Sequence, residues 1–173
     1  MAPTAAITMG MNTTTITTMA ATTTPATTTM TDLRTQHHSR CIVCSPDIAD
    51  GLRLQLVLDD QGAAAGDFAC DARYGGYPGM MHGGIIAALL DGAMTNCLFL
   101  HGITAVTAQL VVHFRHPVLL NTTAQVRAWI TQQDSPVFRL QAQLRQQQVV
   151  KATAKAAFML PRGMPDPAME VHL

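Results

Sequence analysis

Between His82 and Met94 the chain reads HGGIIAALLDGAM: two adjacent glycines, an apolar run and a single carboxylate, Asp91. The first amides of a helix have no intrahelical acceptor and sit at the positive end of its dipole. A helix opening at Gly83 and Gly84 therefore offers donors to an anion. Without a Cβ, these positions let a carbonyl approach the backbone closely, as holding an oxyanion in acyl transfer requires. An ionised carboxylate is costly to bury unpaired, so Asp91 is either tied down structurally or set in a cleft where chemistry uses it. Spacing favours the cleft. Asp91 follows Gly83 by eight residues, about 12 Å along a helix at 1.5 Å per residue, too far for both to act on one carbonyl carbon. If both serve one site they come from different chains across a two-fold interface, so the spacing predicts a dimer. Thr95, one turn beyond, shares the face of Asp91 and either bonds it or a water, or is a packing threonine.

Other reactive residue types carry weaker signals. Cys41 and Cys44 form a CxxC just after His37 and His38, a pattern that invites a zinc reading. No second CxxC follows, and Cys70 and Cys97 stand alone in apolar surroundings. The expectation is therefore reduced thiols, no metal, and a reducing, cytoplasmic setting. His82, at the helix start, is expected to bond neighbouring backbone rather than move protons. Asp67 and Asp71 read as turn or surface residues.

The elements that must hold these residues follow from periodicity. GLRLQLVLDD alternates with Leu52, Leu54, Leu56 and Leu58 on one face, a half-buried strand. A second strand around Phe68 and Cys70 ends near Asp71, and YGGYPG is a loop. The glycine pair opens a helix that runs to about Leu100 and stops before Gly102. Four alternating stretches follow. The first puts Val106, Ala108, Leu110, Val112 and Phe114 inward, opposite Thr107, Gln109, His113 and Arg115. The inward sets of the others run Ala124–Ile130, Phe138–Leu144 and Val150–Phe158 in steps of two. Short connections predict antiparallel hairpin neighbours. A helix apolar all round must be buried all round. The predicted architecture is α+β, a curved antiparallel sheet in the order ββαββββ wrapped around one long central helix.

At 173 residues and 48% hydrophobic content the chain has room for one well-buried domain. Its 11 basic and 11 acidic residues balance, which argues against nucleic acid or an anionic membrane surface as partner. The longest apolar run, around Ile85 to Leu90, is too short to span a bilayer. Residues 1–36 are rich in Thr and carry one basic residue, Arg34, so no secretory or mitochondrial leader is legible, and the segment is expected to be disordered. Residues 37–161 form the domain and 162–173 a tail.

HGGIIAALLDGAM, preceded by YPGMM and followed by VTAQLVVHFRHPV, resembles the hotdog-fold acyl-CoA thioesterases, specifically their phenylacetate-degradation (PaaI-like) branch. CIVCSPDIADGLRL resembles the opening of many such proteins, and the likeness runs from about Cys41 to Leu160. It implies a hotdog fold, a homodimer or dimer of dimers, and hydrolysis of acyl-CoA with no cofactor. It implies that Asp91 is the catalytic nucleophile or general base, Gly83 the carbonyl-polarising amide, His82 the histidine before the glycines, and Thr107 the hydroxyl that positions water. Arg115 and His116 lie at a strand end where CoA phosphates would dock, and with Gly84 they are the candidate CoA-binding residues. Relatives usually carry Asn or Gln in the loop before the histidine, whereas YGGYPGMM has neither, leaving Tyr74, Tyr77 or backbone to serve. Rival readings are a non-catalytic acyl-CoA-binding module and a hotdog hydratase or dehydratase.

Overall fold

A computed structural model of the chain describes residues 30–162, with the side chains of 30–32 left aside. Most of the segment expected to be disordered, and the tail beyond 162, lie outside the described residues. The part that is described departs from expectation: Met30–His38 forms a helix, α1. Tertiary contacts account for it. Arg34 donates to Gln55 Oε1 at 2.8 Å, and the His38 ring stands edge-on to Phe99 with centroids 4.9 Å apart.

The remaining elements follow the predicted order: β1 (Val57–Leu58), β2 (Ala64–Cys70), α2 (Gly83–Leu100), β3 (Val106–Phe114), β4 (Thr122–Asp134), β5 (Val137–Gln146) and β6 (Val149–Met159), with one 3-10 turn at Ala72–Tyr74. They make a single antiparallel sheet in the order β1-β2-β4-β5-β6-β3. β3 and β4 are therefore not the hairpin neighbours that chain order suggested. The connection between them crosses the end of the sheet, where Val118 is buried and its carbonyl accepts from Met81 N. β3 is thereby delivered to the far edge, beside β6.

α2 begins and ends as the sequence predicted. By length and composition alone it is apolar enough to cross a membrane, with mean hydropathy 1.5, which the six-residue apolar run did not suggest. Here the sheet and the first loops cover it instead. Leu89, Leu90, Ala93, Met94, Cys97 and Leu98 are wholly buried. Facing them are Ala124, Val126, Ala128, Ala142, Leu144, Ala152 and Ala154, so small side chains on the strands let the helix lie close to the sheet. Burying each such leucine contributes about 1.5–3 kcal/mol. The helix is also held from the other side. A Cβ on Gly92 would lie 2.4 Å from Val43 Cγ1, so glycine is what lets the Cys41–Cys44 turn sit against α2.

The first strand is shorter than its alternation implied. Leu52, Leu54 and Leu56 are buried as expected, but Leu58 is 40% exposed. The amides of Leu52 and Leu54 donate to the carbonyls of Ile42 and Val43, both at 2.8 Å. Only Val57 and Leu58 pair with β2. The chain then turns at once, with Asp59 Oδ1 accepting from Gln61 N and Ala63 N.

Candidate active site

The N-terminus of α2 is built by His82. Its backbone is extended (φ −65°, ψ 133°), its amide donates to Tyr74 O, and its Nδ1 accepts from Gly84 N at 2.9 Å. His82 thus serves as the helix cap, the role expected of it. Gly84 matters sterically: a Cβ there would stand 3.0 Å from two atoms of the His82 ring. Its amide is engaged by the cap, so Gly84 does not offer the donor to an incoming group that the sequence suggested. The Gly83 amide has no acceptor among the described residues. Replacing His82 by Ala should cost about 0.5–2 kcal/mol of stability, the usual loss on removing a helix cap, measurable by urea unfolding.

Asp91 lies two turns along α2, half-buried. Thr107 Oγ1 donates to its Oδ1 at 2.8 Å. Burial pushes the Asp91 carboxyl above the ordinary carboxylate range, while the Thr107 bond and the nearby His38 pull the other way. Thr107 reaches Asp91 through an irregularity that the alternation concealed. The β3–β6 register slips between Thr107 and Gln109, leaving Ala108 as an extra residue. This bulge turns Thr107 toward the helix, opposite the outward face predicted for it, while Leu110 and Val112 stay in phase with the buried Ala156 and Ala154. Thr95 does not join the carboxylate. Its hydroxyl donates to the backbone carbonyl of Asp91 at 3.1 Å and is buried, the packing alternative.

Gly83, Arg115 and His116 share a cleft of about 300 Å³ with Tyr77, Ile86 and Phe114. Arg115 and His116 are exposed, and their amides both donate to Lys151 O. Of the two loop tyrosines, Tyr74 is buried with its hydroxyl on Gly51 O, and Tyr77 is 77% exposed at the cleft. Depressions of about 390–540 Å³ on the water-facing side of the sheet hold neither Asp91 nor Gly83.

Sequence reading missed His38, whose half-buried ring influences Asp91 electrostatically. Burial and the neighbouring His37 lower its own pKa, against the pull of Asp91. No periodic signal links positions 38 and 91, because the contact is made by a turn folding over the helix. Cys70 and Cys97 are isolated core thiols, as expected. Cys41 and Cys44 are also free, but their sulfurs gather with His38. Burial, followed by the adjacent Cys41, pushes the Cys44 thiol up to about 12.

Residues 78–153 match the thioesterase superfamily. No curated protein matches the chain. Among solved structures, a thioesterase-superfamily protein is similar at 24% identity and TM-score 0.65, over 68% of this chain and 62% of that one. The chain thus spans less than two thirds of that relative. Escherichia coli PaaI, from the phenylacetic acid degradation operon, is similar at 21% identity and TM-score 0.59, over 64% of this chain and 86% of its own. A Streptococcus mutans UA159 protein bound to acetyl-CoA is similar at 18% identity and TM-score 0.60, over 67% and 94%. These likenesses are likenesses of fold: the predicted α+β architecture of one long helix wrapped by an antiparallel sheet, with the hotdog topology. The fold is thus that of the hotdog proteins, and over residues 78–153 the sequence is similar to the thioesterase superfamily.

Proposed function

We propose that the chain is a PaaI-like acyl-CoA thioesterase that works as a homodimer, without a cofactor, in the cytoplasm. The observation that carries this reading is the half-buried Asp91 carboxylate, held by Thr107 on the same continuous helix whose first amide, at Gly83, lacks an acceptor. The two stand about 12 Å apart along that helix. The proposed site therefore combines Asp91 and Thr107 of one protomer with the Gly83 amide of its partner. The partner's dipole end polarises the thioester carbonyl and stabilises the oxyanion. Asp91 either takes a proton from water or attacks the carbonyl carbon itself. In both routes the C–S bond breaks and CoA leaves as thiol; water supplies the new oxygen of the released carboxylate, directly in the first route and by cleaving the acyl–Asp91 anhydride in the second. Thr107 orients the reacting carboxylate. Arg115 and His116, at the mouth of the Gly83 cleft, suit the phosphates of CoA. The free thiols accord with a reducing compartment.

A panel of acyl-CoAs with a thiol-reactive dye tests the reading, together with sedimentation of the protein. Release of CoA by a dimer supports it. Binding without turnover would favour a non-catalytic acyl-CoA module, and a change in enoyl-CoA absorbance without thiol release would favour a hydratase. Thr107→Val supplies a finer test. The hydroxyl stabilises the ionised form of Asp91, so its loss should raise the Asp91 pKa and move the acidic limb of the kcat/KM profile to higher pH. An unmoved limb would remove Asp91 from the role of essential base.

A further inference from the structure

The turn that opens the domain carries a cluster whose two sulfurs the proposed hydrolysis does not use. His38 ends α1, and Cys41 and Cys44 follow in the CIVC turn. One ligand atom from each of the three lies within 4.8 Å of the others, and Cys44 Sγ and His38 Nδ1 are 3.8 Å apart. A tetrahedral zinc with Zn–S of about 2.3 Å and Zn–N of about 2.0–2.1 Å separates those two atoms by roughly 3.6 Å.

A second observation concerns the sulfur of Cys41. The amide of Val43 donates to Cys41 Sγ at 3.4 Å, which fixes where that sulfur points. The ligands are also held in place by the surrounding chain. Val43 is wedged against Gly92, Gln55 Nε2 donates to Cys44 O at 3.3 Å, and the His38 ring rests on Phe99. The Asn96 side chain, fixed by its bond to Gly92 O at 2.7 Å, stands near the Cys44 thiol. Each ligand therefore has a neighbour that orients it, as metal-binding side chains characteristically do.

We propose that His38, Cys41 and Cys44 bind one zinc(II) ion per chain, with the fourth position open to water, and that the ion fastens α1 to the CIVC turn. Two thiolates and one imidazole select zinc over magnesium or calcium. Both thiol protons leave to solvent as the ion binds, and no electron is transferred. His38 and Cys41 are only half-buried, so an entry path from solvent exists. The proposal is independent of whether the protein hydrolyses thioesters. It replaces the expectation of plain thiols at these two cysteines, because sequence alone did not reveal that His38 turns back onto them.

The test uses the full chain, purified reduced, stripped with chelator and titrated with cobalt(II), then zinc(II). The expected result is one cobalt per chain, thiolate-to-cobalt charge-transfer absorption and four-coordinate visible bands. Zinc should displace the cobalt, raise the Tm and release two protons near neutral pH. Cys41→Ser should lose the charge-transfer band. It is the decisive variant because Cys41 is partly exposed and its replacement leaves the core intact, as circular dichroism would check. Cys97→Ala, outside the cluster, should retain the band. Binding well below one ion per chain, or a band that survives Cys41→Ser, would overturn the proposal. So would a Cys41–Cys44 disulfide whose reduction yields no cobalt uptake.

Discussion

Asp91→Asn is expected to lower kcat/KM for acyl-CoA hydrolysis by about 10²–10⁴-fold, the range in which a positioned acid or base contributes, while the fold persists. The variant keeps the shape of the side chain and removes only its charge and basicity. A packing role for Asp91 predicts the opposite pattern, with little loss of rate. The same substitution should behave unusually in stability. Because burial raises the folded-state pKa of Asp91 above its unfolded value, the native state pays for ionising this group. The wild-type stability linked to it is present below the unfolded pKa and is lost as pH rises through the folded pKa. Asn carries no charge at any pH. At neutral pH, therefore, Asp91→Asn should match or exceed wild type in stability, and the difference should vanish in acid, where both side chains are neutral. Urea unfolding at two pH values alongside initial rates checks both halves. A fall in stability at neutral pH would show that the carboxylate serves the fold more than the chemistry.

Phe158→Ala should be the most destabilising single change considered, at about 3–5 kcal/mol. Phe158 is wholly buried and in register with Phe138 of β5 on one side and Thr107 of β3 on the other. It is thereby the direct strand neighbour of Thr107, the residue that holds Asp91. Truncation leaves a cavity there that the tightly packed alanines of β6 have no volume to close. Thermal unfolding should show a large fall in Tm. Phe158→Leu, which restores most of the volume, should recover much of it. Equal losses in the two variants would mean that ring shape, not filled volume, is what matters at this position.

The parts of the fold legible in the sequence were those governed by one uninterrupted period. Gly83 and Leu100 bound α2 because the glycines at its two ends and the dense apolar run between them leave few alternatives. β4, β5 and β6 keep their alternation over Ala124–Ala128, Phe138–Leu144 and Ala152–Phe158, whose inward residues are buried; Ile130 and Val150, beside register slips, are only half-buried. Three larger departures broke the pattern. Leu58 alternates with Leu52–Leu56 but sits where the strand is already turning at Asp59, so hydropathy promised a burial that the turn cancels. Ala108 inserts one residue into β3, and a one-residue slip exchanges the faces. Thr107 was thus the right residue placed on the wrong side. α1 was invisible because its nine residues have little amphipathic character of their own and depend on contacts such as Arg34–Gln55 and His38–Phe99.

The candidate site was legible only in its helical half. The carboxylate and the glycine lie on one element, so their separation could be computed from the rise of a helix. The cap's claim on the Gly84 amide, the backbone target of Thr95 and the approach of His38 to Asp91 each depend on where a side chain or a distant turn comes to rest. Sequence spacing carries no such information.

The two rims of the sheet are unequal. At one, β1 contributes only Val57 and Leu58. At the other, β3 runs for nine residues with Val106, Val111 and Phe114 uncovered. A bare strand of that length is a template for indefinite strand-by-strand growth. Were two copies to join along β3, each outer rim of the joined sheet would be the two-residue β1, too short to recruit another sheet. The lopsided order of strands would thus hold such pairing to a single step.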